Sequence, residues 1–229
     1  MIFPNNFLKI LLLICLMITP IGRISDAAES SDYGTIKGSI TVWKTRVKTH
    51  GPKSDKDVIV SLEDMNGKTY SPAEENIVSM DQKGLVFIPH VLPIQKGTTV
   101  RFLNNDTVKH NVYLLFEETG ETTDIGTYEQ GVSVDYKFNN SGVIIALCKL
   151  HLEMAAYIIV FNNPLFCLAE IDEDTQSAVY ALNNIPPGRY RIKIWHKNLK
   201  MKQKQAEIKV ENGQEINLDI VITKSKYAQ

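Results

Sequence analysis

Apolar and polar residues alternate with period two along most of this chain, which is the pattern of strands that bury one face. Ile36, Gly38, Ile40 and Val42 are interleaved with Thr35, Lys37, Ser39 and Thr41. Val58, Val60 and Leu62 repeat the pattern and run into Asn66-Gly67, a dipeptide suited to a tight hairpin turn. Further on, Val100 and Phe102 share one face of a strand over 99–103, and His110 opens another over 111–116. The clearest alternation sets Val132, Val134, Tyr136 and Phe138 against Ser133, Asp135, Lys137 and Asn139. Val143–Leu147 and Tyr157–Phe161 are short continuous apolar runs, read as buried strands. Near the C-terminus Tyr190, Ile192 and Ile194 alternate with Arg189, Arg191 and Lys193. Ile208 and Val210 then lead through Asn212-Gly213 to Ile216, Leu218, Ile220 and Ile222. No helix of substantial length is expected, so the fold class is all-β.

Polar segments punctuate these strands. Lys44–Lys56 is basic and broken by Gly51-Pro52, which makes it a loop with His50 in solvent, and Glu117–Asp124 reads as an acidic surface loop. A length of 229 residues accommodates one large or two small domains. A net charge of −1 gives no nucleic-acid footprint. At the N-terminus Lys9 precedes the apolar run Ile10–Ile18, followed by the small residues of Ser25-Asp26-Ala27. This is the pattern of a cleaved secretion leader over 1–27 and implies a periplasmic or otherwise exported protein. An uncleaved N-terminal anchor is the alternative, although the run is short for a membrane span. Removal of the leader leaves Cys148 and Cys167 in an oxidising compartment. They either form a disulfide or remain separate, with Cys148 held by a metal and Cys167 a buried free thiol. The second reading accounts for the residues beside Cys148.

Those residues carry the chemistry. Cys148, His151 and Met154 place a thiolate, an imidazole and a thioether within seven residues, on a loop between two predicted strands. His110, at the start of another strand, supplies a second imidazole. Thiolate, thioether and imidazole together form a soft ligand set that suits copper. Taken singly, each residue has an ordinary reading as buried thiol, surface histidine or core methionine. The order Phe87-Ile88-Pro89, Gly97, a strand, Asn104 to His110-Asn111, then Cys148-x2-His151-x2-Met154 resembles the cupredoxins. It is most similar to plastocyanin-like and amicyanin-like type 1 (blue) copper proteins, and the resemblance spans residues 77–162. It implies a Greek-key β-sandwich or barrel holding one copper ion on His110, Cys148, His151 and Met154. It also implies that Asn111 pins the ligand loop, and that single electrons pass to a redox partner such as a c-type cytochrome. Leu150 and Leu152 flank His151 and form a docking collar if they point outward, or plugs if they point inward. The loop departs from many relatives in having Lys149, Leu150 and Leu152 where proline is common. Glu153 offers a competing oxygen ligand. His90 is assigned a structural role and His196 a capped or surface position.

The chain ends carry a second pattern. Pro186-Pro187-Gly188-x-Tyr190 and the opening Gly34-x-Ile36-x-Gly38-x-Ile40 are similar to the two halves of a carboxypeptidase-regulatory-like (transthyretin-like) β-sandwich. Neither half has strands enough to cover two sheet faces. Residues 33–72 together with 163–223 are therefore expected to form one small sandwich, interrupted near Pro72 and Asn163-Pro164 by the copper domain. The simpler alternative assigns the N-terminal strands to the copper domain. Copper enzymes of this type need further metal centres, usually built from His-x-His pairs or from histidines between two cupredoxin domains; the sequence has neither, so no enzymatic activity is expected. Copper delivery would call for Met-rich or His-rich clusters, and a purely structural module would not need an intact ligand set. No C-x-x-C-H motif is present, so any haem belongs to another chain.

Overall fold

The computed structural model describes residues 32–43, 56–197 and 206–223. The leader expected over 1–27 and the loop expected around His50 lie outside these residues. The described chain is all-β. Its strands are β1 (Gly34–Trp43), β2 (Asp57–Asp64), β3 (Ile77–Gln82), β4 (Phe87–Ile88), β5 (Val91–Gln95) and β6 (Thr99–Asn104). They continue with β7 (His110–Phe116), β8 (Thr122–Tyr128), β9 (Ser133–Lys137), β10 (Gly142–Leu147), β11 (Ala155–Phe161) and β12 (Phe166–Glu170). The last are β13 (Ser177–Ile185), β14 (Gly188–Trp195), β15 (Glu207–Val210), β16 (Glu215–Asn217) and β17 (Ile220–Thr223).

Two sheets, ordered β5-β11-β10-β7-β8 and β4-β3-β6-β9, face each other across a core that includes Met80, Phe87, Phe102, Leu114, Phe138, Ile144 and Ile158. The other two sheets are built from both ends of the chain. β1 pairs antiparallel with β13 and parallel with β16 and β17, while β2 lies between β12 and β14. Their shared core joins Ile36, Ile40, Val42, Val58, Val60 and Leu62 to Tyr180, Leu182, Tyr190, Ile192 and Ile222, with Ile194 packed against it. Gly38 is fixed by proximity, since a Cβ at this position would collide with the Leu218 carbonyl group. Tyr190 is fully buried and donates its hydroxyl to the Pro186 carbonyl at 2.7 Å, which ties the 186–188 turn to the strand it opens.

A third, smaller cluster joins the two sandwiches through Ile59, Val91 and Ile159, with Val143, Tyr157, Phe161, Phe166 and Trp195 packed around them. Period two explains how one strand serves both cores: Val58 and Val60 point into the terminal sandwich, and Ile59 points the other way against the copper-motif block. β11 behaves alike, with Ala156, Ile158 and Val160 turned inward and Tyr157, Ile159 and Phe161 turned to the joint. Coverage on both faces is why Val143–Leu147 and Tyr157–Phe161 read as continuous apolar runs. Burying Ile59 completely contributes about 1.5–3 kcal/mol. At the crossover, the buried Asn163 donates Nδ2 to the Leu62 carbonyl at 2.9 Å and accepts the Leu165 N–H at 2.9 Å.

Some local expectations are corrected. Val132 is exposed and precedes β9, while Phe138 is buried just after it, so the strand is shorter than the alternation suggests. The acidic loop is shorter too, because Thr122 to Asp124 already belong to β8 and pair with β7. β13 was not foreseen. Its inward positions Ala178, Tyr180 and Leu182 alternate with outward Val179 and Ala181, which are also apolar, so no period-two signal marks the strand, and its Asn183-Asn184 end resembles a loop.

Candidate metal centre

β10 delivers Cys148 at its C-terminal end, and the chain turns back through Met154 into β11. The turn is closed by two backbone hydrogen bonds, Met154 N–H to the His151 carbonyl at 2.9 Å and Cys148 N–H to the Met154 carbonyl at 3.3 Å. β7 lies beside β10 and starts at His110, so its first residue falls next to the loop. Nδ1 of His110 and Nδ1 of His151 are 3.1 Å apart, and they lie 3.9 and 3.6 Å from Cys148 Sγ. His110 is fully buried, Cys148 and Met154 are nearly so, and His151 is half-buried. The loop thus brings Cys148 and His151 to His110, and Met154 lies in the same core as Cys148.

The arrangement can be tested against the size of a transition-metal ion. Bonds of about 2.0 Å to imidazole nitrogen and about 2.3 Å to thiolate sulfur, at trigonal angles, separate two nitrogens by about 3.5 Å and nitrogen from sulfur by about 3.7 Å. The observed nitrogen–sulfur spacings of 3.9 and 3.6 Å bracket the expected one, the nitrogen–nitrogen spacing of 3.1 Å is shorter than it would be around an ion, and the donor atoms of His110, Cys148 and His151 lie within 4.8 Å of one another. The donors are soft and intermediate, and among the described residues no carboxylate converges with them. Glu153 is exposed. The set suits copper better than magnesium or calcium, which prefer oxygen.

Around the donors, backbone and side chains fix the geometry. The Asn111 N–H points at Cys148 Sγ at 3.4 Å. The Asn111 side chain is buried, donates to Asp124 Oδ1 at 2.8 Å and the Gly126 carbonyl at 2.9 Å, and accepts the Lys149 N–H at 3.4 Å. Lys149 closes the arrangement with an ion pair to Asp124 at 2.7 Å and lies 4.1 Å over the Tyr113 ring. Hydrogen bonds from Lys149 and Asn111 hold the Asp124 carboxyl below its ordinary range. On the far side of His110, Nε2 lies 3.1 Å from Asp106 Oδ2. Asp106 accepts the Leu85 and Thr107 N–H groups at 2.9 Å each, and the Leu85 bond is the main cause of a lowered carboxyl pKa.

Asp106 and Asp124 were both missed in the sequence. Asp124 looked like one more acid in a surface loop. Asp106 sits four residues before His110 in an Asn-Asn-Asp-Thr turn whose capping chemistry masks its second contact. Leu150 and Leu152 are 52% and 88% exposed, so they point outward beside His151 rather than acting as plugs. His90 lies at the joint, with Nε2 2.9 Å from Lys197 Nζ and its ring edge-on to Tyr157. His196 is buried, which removes the surface alternative from its expected capped or surface position. Both Cys148 and Cys167 are free thiols rather than a disulfide. They belong to different cores, and burial pushes the Cys167 thiol up.

Comparison with known proteins places this site in context. No curated protein matches the chain. Solved structures similar to it include a purple cupredoxin from Nitrosopumilus maritimus, 21% identical, covering 37% of this chain and 99% of that one with a TM-score of 0.34. A reduced amicyanin mutant is 18% identical and covers 44% of this chain and 99% of that one, with a TM-score of 0.36. The copper-containing nitrite reductase of Thermus scotoductus SA-01 is 24% identical, and the match covers 43% of this chain and 25% of that one with a TM-score of 0.35. Residues 169–223 match the second β-sandwich domain of subunits like NOMO1 of the BOS complex. Residues 73–161, which hold every donor described above, match the plastocyanin/azurin family of copper-binding proteins.

Proposed function

We propose that this is an exported protein holding one type 1 copper ion, and that it carries single electrons between redox partners rather than catalysing a reaction. The observation that carries the reading is the convergence of two imidazole nitrogens and one cysteine sulfur inside a rigid β-framework. Bound there, copper would supply one-electron exchange between its Cu(I) and Cu(II) states. Cys148, His110 and His151 would hold it, and the Met154 thioether would be a further, weaker donor. The protein's part is to keep these donors from rearranging. Strand pairing fixes Cys148 and His110, Asn111 braces the loop through Asp124, which pairs with Lys149, and the buried cluster around Met80, Phe87 and Phe102 excludes water from one side.

Electron exit is assigned to His151, the donor residue that is half-buried, between the exposed Leu150 and Leu152. An apolar collar lets a partner such as a c-type cytochrome approach with little desolvation of charge. The N-terminal leader pattern supports export. The testing experiment is a reductive titration of copper-loaded protein. One electron per chain, taken up and released reversibly without loss of copper, is the expected result. Uptake of no electrons, or loss of the metal on reduction, would overturn the reading.

A further inference from the structure

From the contact between its carboxylate and the remote nitrogen of His110, we infer that Asp106 is a positioning residue for the metal centre and sets its preference for Cu(II) over Cu(I). The inference rests on the copper reading above. Asp106 is in the 104–109 turn, which is unusually well tied down. Asn104 is buried, donates Nδ2 to the Val108 carbonyl at 2.9 Å and the Tyr128 carbonyl at 3.1 Å, and accepts the Asp106 N–H at 3.0 Å. Leu85 holds φ at 60°, a left-handed conformation that a branched side chain rarely adopts. Its N–H is directed at the same Oδ2 that faces His110. Turn and loop together hold this oxygen 3.1 Å from Nε2 of a fully buried ring.

Two consequences follow. With Nε2–H donating to Asp106, the proton is kept off Nδ1, the nitrogen that faces Cys148 and His151. An imidazole that donates to a carboxylate is also a stronger electron donor, and such partners are worth about 10–100-fold in metal affinity. The extra charge of Cu(II) gains more from this than Cu(I) does, so the carboxylate lowers the reduction potential. Glu153 provides the control: it is an acid in the ligand loop, yet exposed and outside the converging donors.

The test compares copper-loaded wild type, Asp106→Asn and Glu153→Gln by visible spectrum and by spectroelectrochemical potential. The expected result is a retained thiolate-to-copper band in all three, with Asp106→Asn shifted about tenfold or more toward Cu(I). That corresponds to about 59 mV for one electron. Glu153→Gln should shift by much less. An unmoved potential in Asp106→Asn, or an equal shift in Glu153→Gln, overturns the inference while leaving the copper reading intact. A wild type without the thiolate-to-copper band overturns both. Metal-free wild type gives a second readout that does not depend on the variant folding. Nitrogen NMR of His110 should find the proton on Nε2, and a proton on Nδ1 overturns the inference.

Discussion

Replacing Asn111 with alanine separates bracing of the ligand loop from ligation itself. The side chain makes two short bonds, one to the Asp124 carboxylate at 2.8 Å and one to the Gly126 carbonyl at 2.9 Å. Its contacts to Thr127 Oγ1 and the Lys149 N–H, both at 3.4 Å, are near the limit for a hydrogen bond and add little energy. A bond to a charged partner is worth about 1.5–3 kcal/mol and a neutral one about 1 kcal/mol. Asp124 is partly in solvent and also paired with Lys149, so the lower figure applies to it. The sum is about 2–3 kcal/mol, or roughly 4–12 °C in melting temperature for a chain of this size. Thermal melts of the metal-free protein should show this loss. Asn111→Asp should be at least as damaging, because it sets one carboxylate against another. A melting temperature within about 1 °C of wild type in Asn111→Ala would refute the argument that the two short bonds stabilise the protein.

Gly38→Ala should destabilise the terminal sandwich by about 1–3 kcal/mol, because the Leu218 backbone cannot yield as a side chain would; denaturant melts check this. The depressed pKa of Asp124 means that its contribution is fully present above its unfolded pKa and is lost as pH falls through the lower folded value. Wild type should therefore lose stability more steeply on acidification than Asp124→Asn, as measured by melts across the acidic range. Cys167→Ala should bind copper as wild type does, since that thiol lies in the other core, whereas Cys148→Ser should keep the fold and lose the thiolate-to-copper band. Leu152→Lys should leave stability unchanged, given its exposure, and slow electron exchange between copies at low salt.

The sequence was most legible where chemistry and strand period coincide. Cys148, His151 and Met154 are close in the chain, and a short loop between paired strands leaves them few ways to miss one another. His110 was harder, and its place came from strand adjacency of β7 and β10 rather than from spacing. The terminal strands were legible as strands, since Ile36, Ile40, Tyr190 and Ile192 mark one buried face. What the pattern could not convey was contact between polar groups. Asp106 and Asp124 look like solvated acids by composition, and only the turn of 104–109 and the early start of β8 bring them to His110 and Asn111. β13 escaped for a different reason: its exposed positions include apolar Val179 and Ala181, so 178–182 shows no period-two alternation.

The visible and electron paramagnetic resonance spectra of the copper-loaded chain test the central claim most directly, because they report donor set and geometry together. Coordination by Cys148, His110 and His151, with the Met154 thioether as a weaker donor, predicts an intense thiolate-to-copper charge-transfer band and a narrow copper hyperfine splitting, both lost in Cys148→Ser. A colourless Cu(II) form with a tetragonal signal, unchanged by Cys148→Ser, would contradict it.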